Sequence, residues 1–224
     1  MVSSFQKIFE PDRSALKTIA VWYGSIVGIA AILHGFFEFL QGDKKITDPF
    51  IDAIGPHQRI WEYSGLHAIS YAPTYLLAGI LAICMGMVLI IWSLLYLDKK
   101  GSTIILALIV IITYLVGGGY GPPLSLGTLA IIASLLSEKK IVDLSHYSNS
   151  GTGKLIIKSW PWSLILFAVV FFSSVLLNIV GWPLTVLIGI QATNDFIWFL
   201  VFLMIFLMIG SLLNALLVDW IKHS

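Results

Sequence analysis

Charge is scarce in this chain. Of its 224 residues only 11% are Asp, Glu, Lys or Arg, where soluble domains carry about 25%. The hydrophobic share is 58% and the mean hydropathy +0.93. A soluble fold of this length cannot hide so much apolar surface, so the bilayer must be the solvent for much of it. Net charge is +1, which excludes the basic field that nucleic-acid binding needs. Cysteine is nearly absent. Cys84 alone, inside an apolar run, excludes an internal disulfide and a Cys-based zinc cluster. No motif names a reaction, a cofactor or a substrate. Ser150-Gly-Thr-Gly-Lys154 is like the end of a phosphate-binding loop, but Ser148 stands where its first glycine belongs and Leu155 replaces the magnesium-binding hydroxyl.

What is abundant is apolar sequence in long runs. A spanning helix needs about 20 apolar residues. Six candidates follow one another: Lys17–Phe39, Tyr71–Leu97, Thr103–Tyr120, the shorter Pro123–Leu136, Pro161–Trp182 and Phe196–Leu217. The first is too long for a signal-peptide core and no small-residue cleavage site follows it, so it reads as a retained helix. Basic residues decide the orientation. Lys7, Arg13, Lys17, Lys99, Lys100, Lys139, Lys140, Lys154, Lys158 and Lys222 fall on one side, and only Lys44, Lys45 and Arg59 on the other. Positive charge stays in the cytoplasm. The expectation is therefore an all-α, six-helix transmembrane bundle with both termini cytoplasmic, in the plasma membrane, and residues 1–224 forming a single integral membrane domain. Helix four is short enough to be re-entrant instead, which makes five crossings.

Two polar segments interrupt the bundle. The outer loop, 41–70, holds His57, Arg59, Trp61, Glu62 and His67, and its second half, 57–70, reads as a half-amphipathic helix. The inner loop, 137–159, has two short apolar runs around a Gly/Ser/Asn turn, the pattern of a small hairpin. Trp160-Pro161 marks the start of helix five, since proline suits a first helical turn. Asn194-Asp195 is placed to cap helix six. Asn178 and Asn214 read as amides linking helices.

Three places carry candidate chemistry. His34 and Glu38 lie four apart and share one face of helix one. Ionisable groups inside a span are expensive and count as functional candidates. The plain alternative is a wet pair near the outer surface. His57, Glu62 and His67, with Trp61, could converge on that pair at the outer mouth, and His34, His57 and His67 are the candidates for a metal. The plain alternative is a solvated loop. Third, Val116-Gly-Gly-Gly-Tyr-Gly-Pro-Pro is the strongest break in the chain. Backbone freed from helix there must find partners in neighbours or water, so Gly118 and Tyr120 either form a tight turn or line a binding site.

The His34-x-x-x-Glu38 pair resembles the His/Glu pairs of membrane sterol isomerases of the EXPERA group. The likeness covers five residues, and the glycine-rich turn does not follow that pattern, so no function is carried across. Two function classes remain, beside a third without a site. One is a carrier or binding protein for a lipid-like or small apolar ligand, lined by His34, Glu38, Trp61, Glu62, His67, Gly118 and Tyr120. Ion-coupled pumping fits poorly, because helices two to six carry almost no charge. The other is an enzyme acting on a lipid, with His34 as base or metal ligand and Glu38 as acid. The third is an accessory subunit whose outer loop contacts a partner in a homo- or hetero-oligomer.

Overall fold

The computed structural model describes residues 13–138 and 144–222. The described residues fall into two compact units, one of residues 13–58 and 66–138, the other of 59–65 and 144–222. Helices dominate both. α1 spans Ala15–Leu40, α2 Tyr75–Leu95, α3 Ser102–Leu115, α4 Thr128–Ser137, α5 Gly151–Ile179, α6 Trp182–Ile188 and α7 Ile190–Lys222. Two short strands, β1 (Phe50–Asp52) and β2 (His67–Ile69), pair antiparallel with Ile51 opposite Ala68. Four helices, α1, α2, α5 and α7, are long and apolar enough to cross a membrane. Many of their large exposed side chains, such as Phe36, Ile91, Trp162 and Phe206, are apolar, as surfaces facing lipid tails must be.

In the first unit α1 is the central helix, the most buried of the four long ones. Ser14 caps its start by accepting the Lys17 N–H at 3.2 Å. Its inward stripe runs Ala20, Tyr23, Val27, Ala31, His34 and Glu38, all buried and three or four residues apart, so the two polar residues continue a core face. A second face meets α2 through glycines. A Cβ on Gly28 would lie 2.6 Å from the Gly86 carbonyl oxygen, and one on Gly35 would lie 2.7 Å from that of Gly79. The two backbones touch, the close approach that small residues permit in membranes. Trp92 Nε1 donates to the Ser102 carbonyl at 3.2 Å, tying α2 to the start of α3. Thr103 and Ser134 share a 2.6 Å hydrogen bond, so the start of α3 and the end of α4 stand at one level and the two helices form a hairpin.

In the second unit α5 packs along α7, with Phe167, Phe171 and Ser174 buried on the first and Leu200, Ser211 and Ala215 on the second. Residues 59–65 close the end of α5. Trp61 Nε1 donates to the Asn178 carbonyl at 3.0 Å, Ser64 Oγ to that of Ile179 at 3.2 Å, and the Gly65 N–H to Asn178 Oδ1 at 3.2 Å. The last carbonyls of a helix lack partners within it, and these side chains supply them.

Several local expectations are corrected. The third helix ends at Leu115, not Tyr120, because Gly117 and Gly119 take positive φ. The fourth opens with a π-helical turn, Pro123–Gly127, before α4. The fifth starts ten residues before Pro161. Ser150 Oγ accepts the Gly153 N–H at 3.0 Å, and Pro161 sits inside the helix. The inner hairpin is therefore absent where residues are described: Lys154–Lys158 belongs to α5 and Ser145–Tyr147 is a 3-10 turn, while residues 140–143 lie outside the described ones. The helix expected over 57–70 is instead a 3-10 turn at Pro56–Gln58 followed by β2. Asp195 does not cap the last helix, which begins at Ile190. It accepts from Gln191 Nε2 at 3.0 Å within the first turns.

Candidate functional site

The site is built at the C-terminal end of α1, inside the first unit. His34 is 4% exposed and Glu38 0%. The segment after α3 lies across both. A Cβ on Gly117 would enter the Glu38 carboxylate, one on Gly118 would lie 3.1 Å from the Ala31 methyl, and one on Gly119 would lie 2.9 Å from His34 Cε1. Gly117 and Gly119 are thus the room that the carboxylate and the imidazole occupy, while Gly118 lies against Thr113 and Ala31. Gly117 has φ +105° and Gly119 φ +98°, where a side chain would be strained in any case.

Backbone bonds hold this cover in place. Gly118 N–H donates to the Thr113 carbonyl at 2.9 Å, Tyr71 N–H to Leu115 at 3.1 Å, and Tyr120 N–H to His67 at 2.9 Å. Ser70 and Val116 form an isolated antiparallel bridge. The cover therefore hangs on β2 and its flank. β1 is anchored in turn to the end of α1, where Gln41 Nε2 donates to the Asp52 and Ala53 carbonyls, each at 2.8 Å.

The polar groups have distinct environments. His34 Nδ1 is 2.8 Å from the Ala30 carbonyl. A carbonyl only accepts, so Nδ1 carries the proton and Nε2 of the neutral ring is left as an acceptor. Glu38 differs: both its carboxylate oxygens are buried with no hydrogen-bond partner among the described residues. Buried polar groups are almost always paired, and leaving one unmade costs about 1–3 kcal/mol, more if charged. Such a carboxyl calls for a proton, a cation or a ligand group.

Of the residues expected at the site, His34, Glu38, Gly118 and Tyr120 come together with the His67 backbone. The His67 ring points away, 76% exposed, with Nδ1 2.7 Å from Asp52 Oδ1. His57 is exposed in its 3-10 turn. Trp61 and Glu62 belong to the second unit, Trp61 buried on α5 and Glu62 exposed. Among the described residues no three His, Cys, Asp or Glu side chains gather as a metal site requires. Sequence reading missed Asp52 and Tyr75. Asp52 holds the His67 ring from the strand pair, and Tyr75 opens α2 with its N–H donating to the Lys44 carbonyl at 3.0 Å, just past the end of α1. Only strand pairing and helix register bring them there, and neither leaves a motif. No family model, curated protein or solved structure matches the chain.

Proposed function

We propose that this is a six-crossing membrane protein with both termini in the cytoplasm, whose His34–Glu38 site at the outer end binds a lipid-like or other largely apolar molecule through one hydrogen-bonding group. The observation that carries the reading is the Glu38 carboxyl, fully buried and without a partner. A ligand hydroxyl or amide that donates to Glu38 and accepts or donates at His34 would satisfy both. An apolar body is favoured because Phe36, Phe39 and Leu40, on the same turns of α1, are exposed and apolar, so the approach is from lipid. The excess of basic residues on one side supports the orientation. The hairpin of α3 and α4 supports an even number of crossings. Ligand entry requires the Val116–Tyr120 cover to lift.

The test is native mass spectrometry with lipid extraction of protein purified in mild detergent, comparing wild type with Glu38→Gln and His34→Ala. We expect a stoichiometric small molecule in wild type whose occupancy falls about tenfold in Glu38→Gln, the loss of roughly 1.4 kcal/mol of binding. An identical complement in wild type and both variants would sink the reading. A second reading, an enzyme acting on such a lipid, is favoured by one observation: the Nδ1 bond to Ala30 leaves His34 Nε2 poised as a base beside an acid. Turnover of the retained molecule, abolished in His34→Ala, separates it from binding alone.

A further inference from the structure

α1 is about 39 Å long at 1.5 Å per residue, and the end opposite the candidate site holds a second buried charge with too few partners. Arg13 stands just before the Ser14 cap. Its side chain is 7% exposed, and Nη2 meets Asp98 Oδ1 at 3.1 Å, in the turn between α2 and α3. Nε and Nη1 are buried with no hydrogen-bond partner among the described residues. A guanidinium is all donor and no acceptor, and buried donors are almost always paired. Asp98 is shared besides, since Lys17 Nζ stands 3.9 Å from the same oxygen. Lys99 and Lys100 follow it in the turn, both exposed, with Lys99 Nζ 4.4 Å from the Tyr96 ring centroid. Segments 13–17 and 96–101 thus set Arg13, Lys17, Lys99 and Lys100 against Asp98 alone. Trp92 and Tyr96 stack beside them at 5.0 Å, as aromatic side chains do at headgroup level. Ile91 and Ile104, next along these turns, are exposed and apolar.

We propose that this end of α1 binds a phosphate anion, with the Arg13 fork and the Lys17 ammonium donating to its oxygens and Asp98 as its competitor for Arg13. The planar guanidinium matches phosphate geometry, and charge-assisted bonds of this kind are the strong ones. Nε and Nη1 are out of water in this arrangement. Binding therefore turns the Arg13 side chain about its flexible stem, toward the open side where Asp98 is 47% and Lys17 25% exposed. A bilayer presents phosphate at the level of the Trp92–Tyr96 stack as the headgroup of an anionic lipid, and basic pockets between helix ends are where such headgroups settle. Inorganic phosphate in solution offers the same oxygens. The site is separate from the His34–Glu38 pair and shares no residue with it, so neither reading depends on the other.

The experiment is a native mass spectrometry titration of the full chain in mild detergent with phosphatidylglycerol, and with phosphatidylcholine of the same acyl chains. We expect wild type to take its first phosphatidylglycerol about tenfold more tightly than phosphatidylcholine. Arg13→Gln should abolish that preference and Lys17→Gln should reduce it. Asp98→Asn should raise it, because the competing carboxylate is gone. A merely structural ion pair predicts no such gain, only a loss of stability. Should circular dichroism show Arg13→Gln unfolded, the opposite shifts in Lys17→Gln and Asp98→Asn still decide. Competition with inorganic phosphate separates the sources: displacement at equal concentration assigns the site to free phosphate, and retention assigns it to the lipid. Equal affinity for the two lipids in wild type with no binding of inorganic phosphate, or a preference that none of the three variants alters, would overturn the proposal.

Discussion

Gly119 stands where a methyl group has no room. At Gly119 a Cβ would lie within 3.2 Å of three atoms of the His34 ring, on backbone that already has φ +98°. The ring cannot retreat without losing its Nδ1 bond to Ala30. Gly119→Ala therefore combines backbone strain with displacement of a buried side chain, and we expect it to cost about 1–3 kcal/mol. Gly121, two residues on, has nothing within 4 Å and an ordinary φ. Its alanine variant should stay within about 0.5 kcal/mol of wild type. Thermal unfolding of both in one detergent makes the comparison, and equal melting temperatures would show that the segment does not press on His34. Gly-Gly-Gly was legible in the sequence as a break. What it accommodates was not, because the imidazole and carboxylate lie some 80 positions earlier in the chain.

At the scale of elements, α1 and α2 are joined by glycines seven apart, Gly28 and Gly35 on one helix and Gly79 and Gly86 on the other. This heptad spacing puts both glycines of each helix on one face, where small residues let the backbones approach. Two effects oppose each other when alanine replaces Gly28. Helix propensity favours alanine by about 1 kcal/mol. Against that, the new methyl would sit 2.6 Å from the Gly86 carbonyl and from Ile90 Cγ1, and backbone cannot swing aside as a side chain can. Packing should win, for a net loss of about 1–3 kcal/mol, the usual cost of overpacking. Gly210 in α7 is open to space, so Gly210→Ala should be neutral or stabilising in the same assay. A stabilised Gly28→Ala would mean the helices do not meet as described. Element ends were the least legible. Trp160-Pro161 has the form of a helix start, yet α5 runs through it from the Ser150 cap, although an interior proline removes one backbone hydrogen bond and crowds the carbonyl four residues before it.

At the scale of the molecule, the described residues hold four helices long and apolar enough to cross a membrane and a hairpin of two shorter apolar ones. α3, with 14 residues, is about 21 Å long at 1.5 Å per residue, short of the roughly 30 Å hydrocarbon core. The Val116–Tyr120 segment therefore sits where it can cover α1 rather than emerge as a free loop. Single cysteines at Asp48 and at Ser148, introduced into Cys84→Ser, should react with an impermeant thiol reagent from opposite sides of sealed vesicles. Labelling of both from one side would refute the six-crossing topology. The sequence by itself determined the solvent and the long helices, because apolar runs of spanning length admit few other fates in water or lipid. It also determined that His34 and Glu38 share a helical face, a consequence of the 3.6-residue turn alone. Tertiary structure alone decided that this face turns inward and that glycines cover it. Those depend on strand pairing and helix register between distant segments, where van der Waals fit and backbone hydrogen bonds choose the partner and no local pattern records the choice.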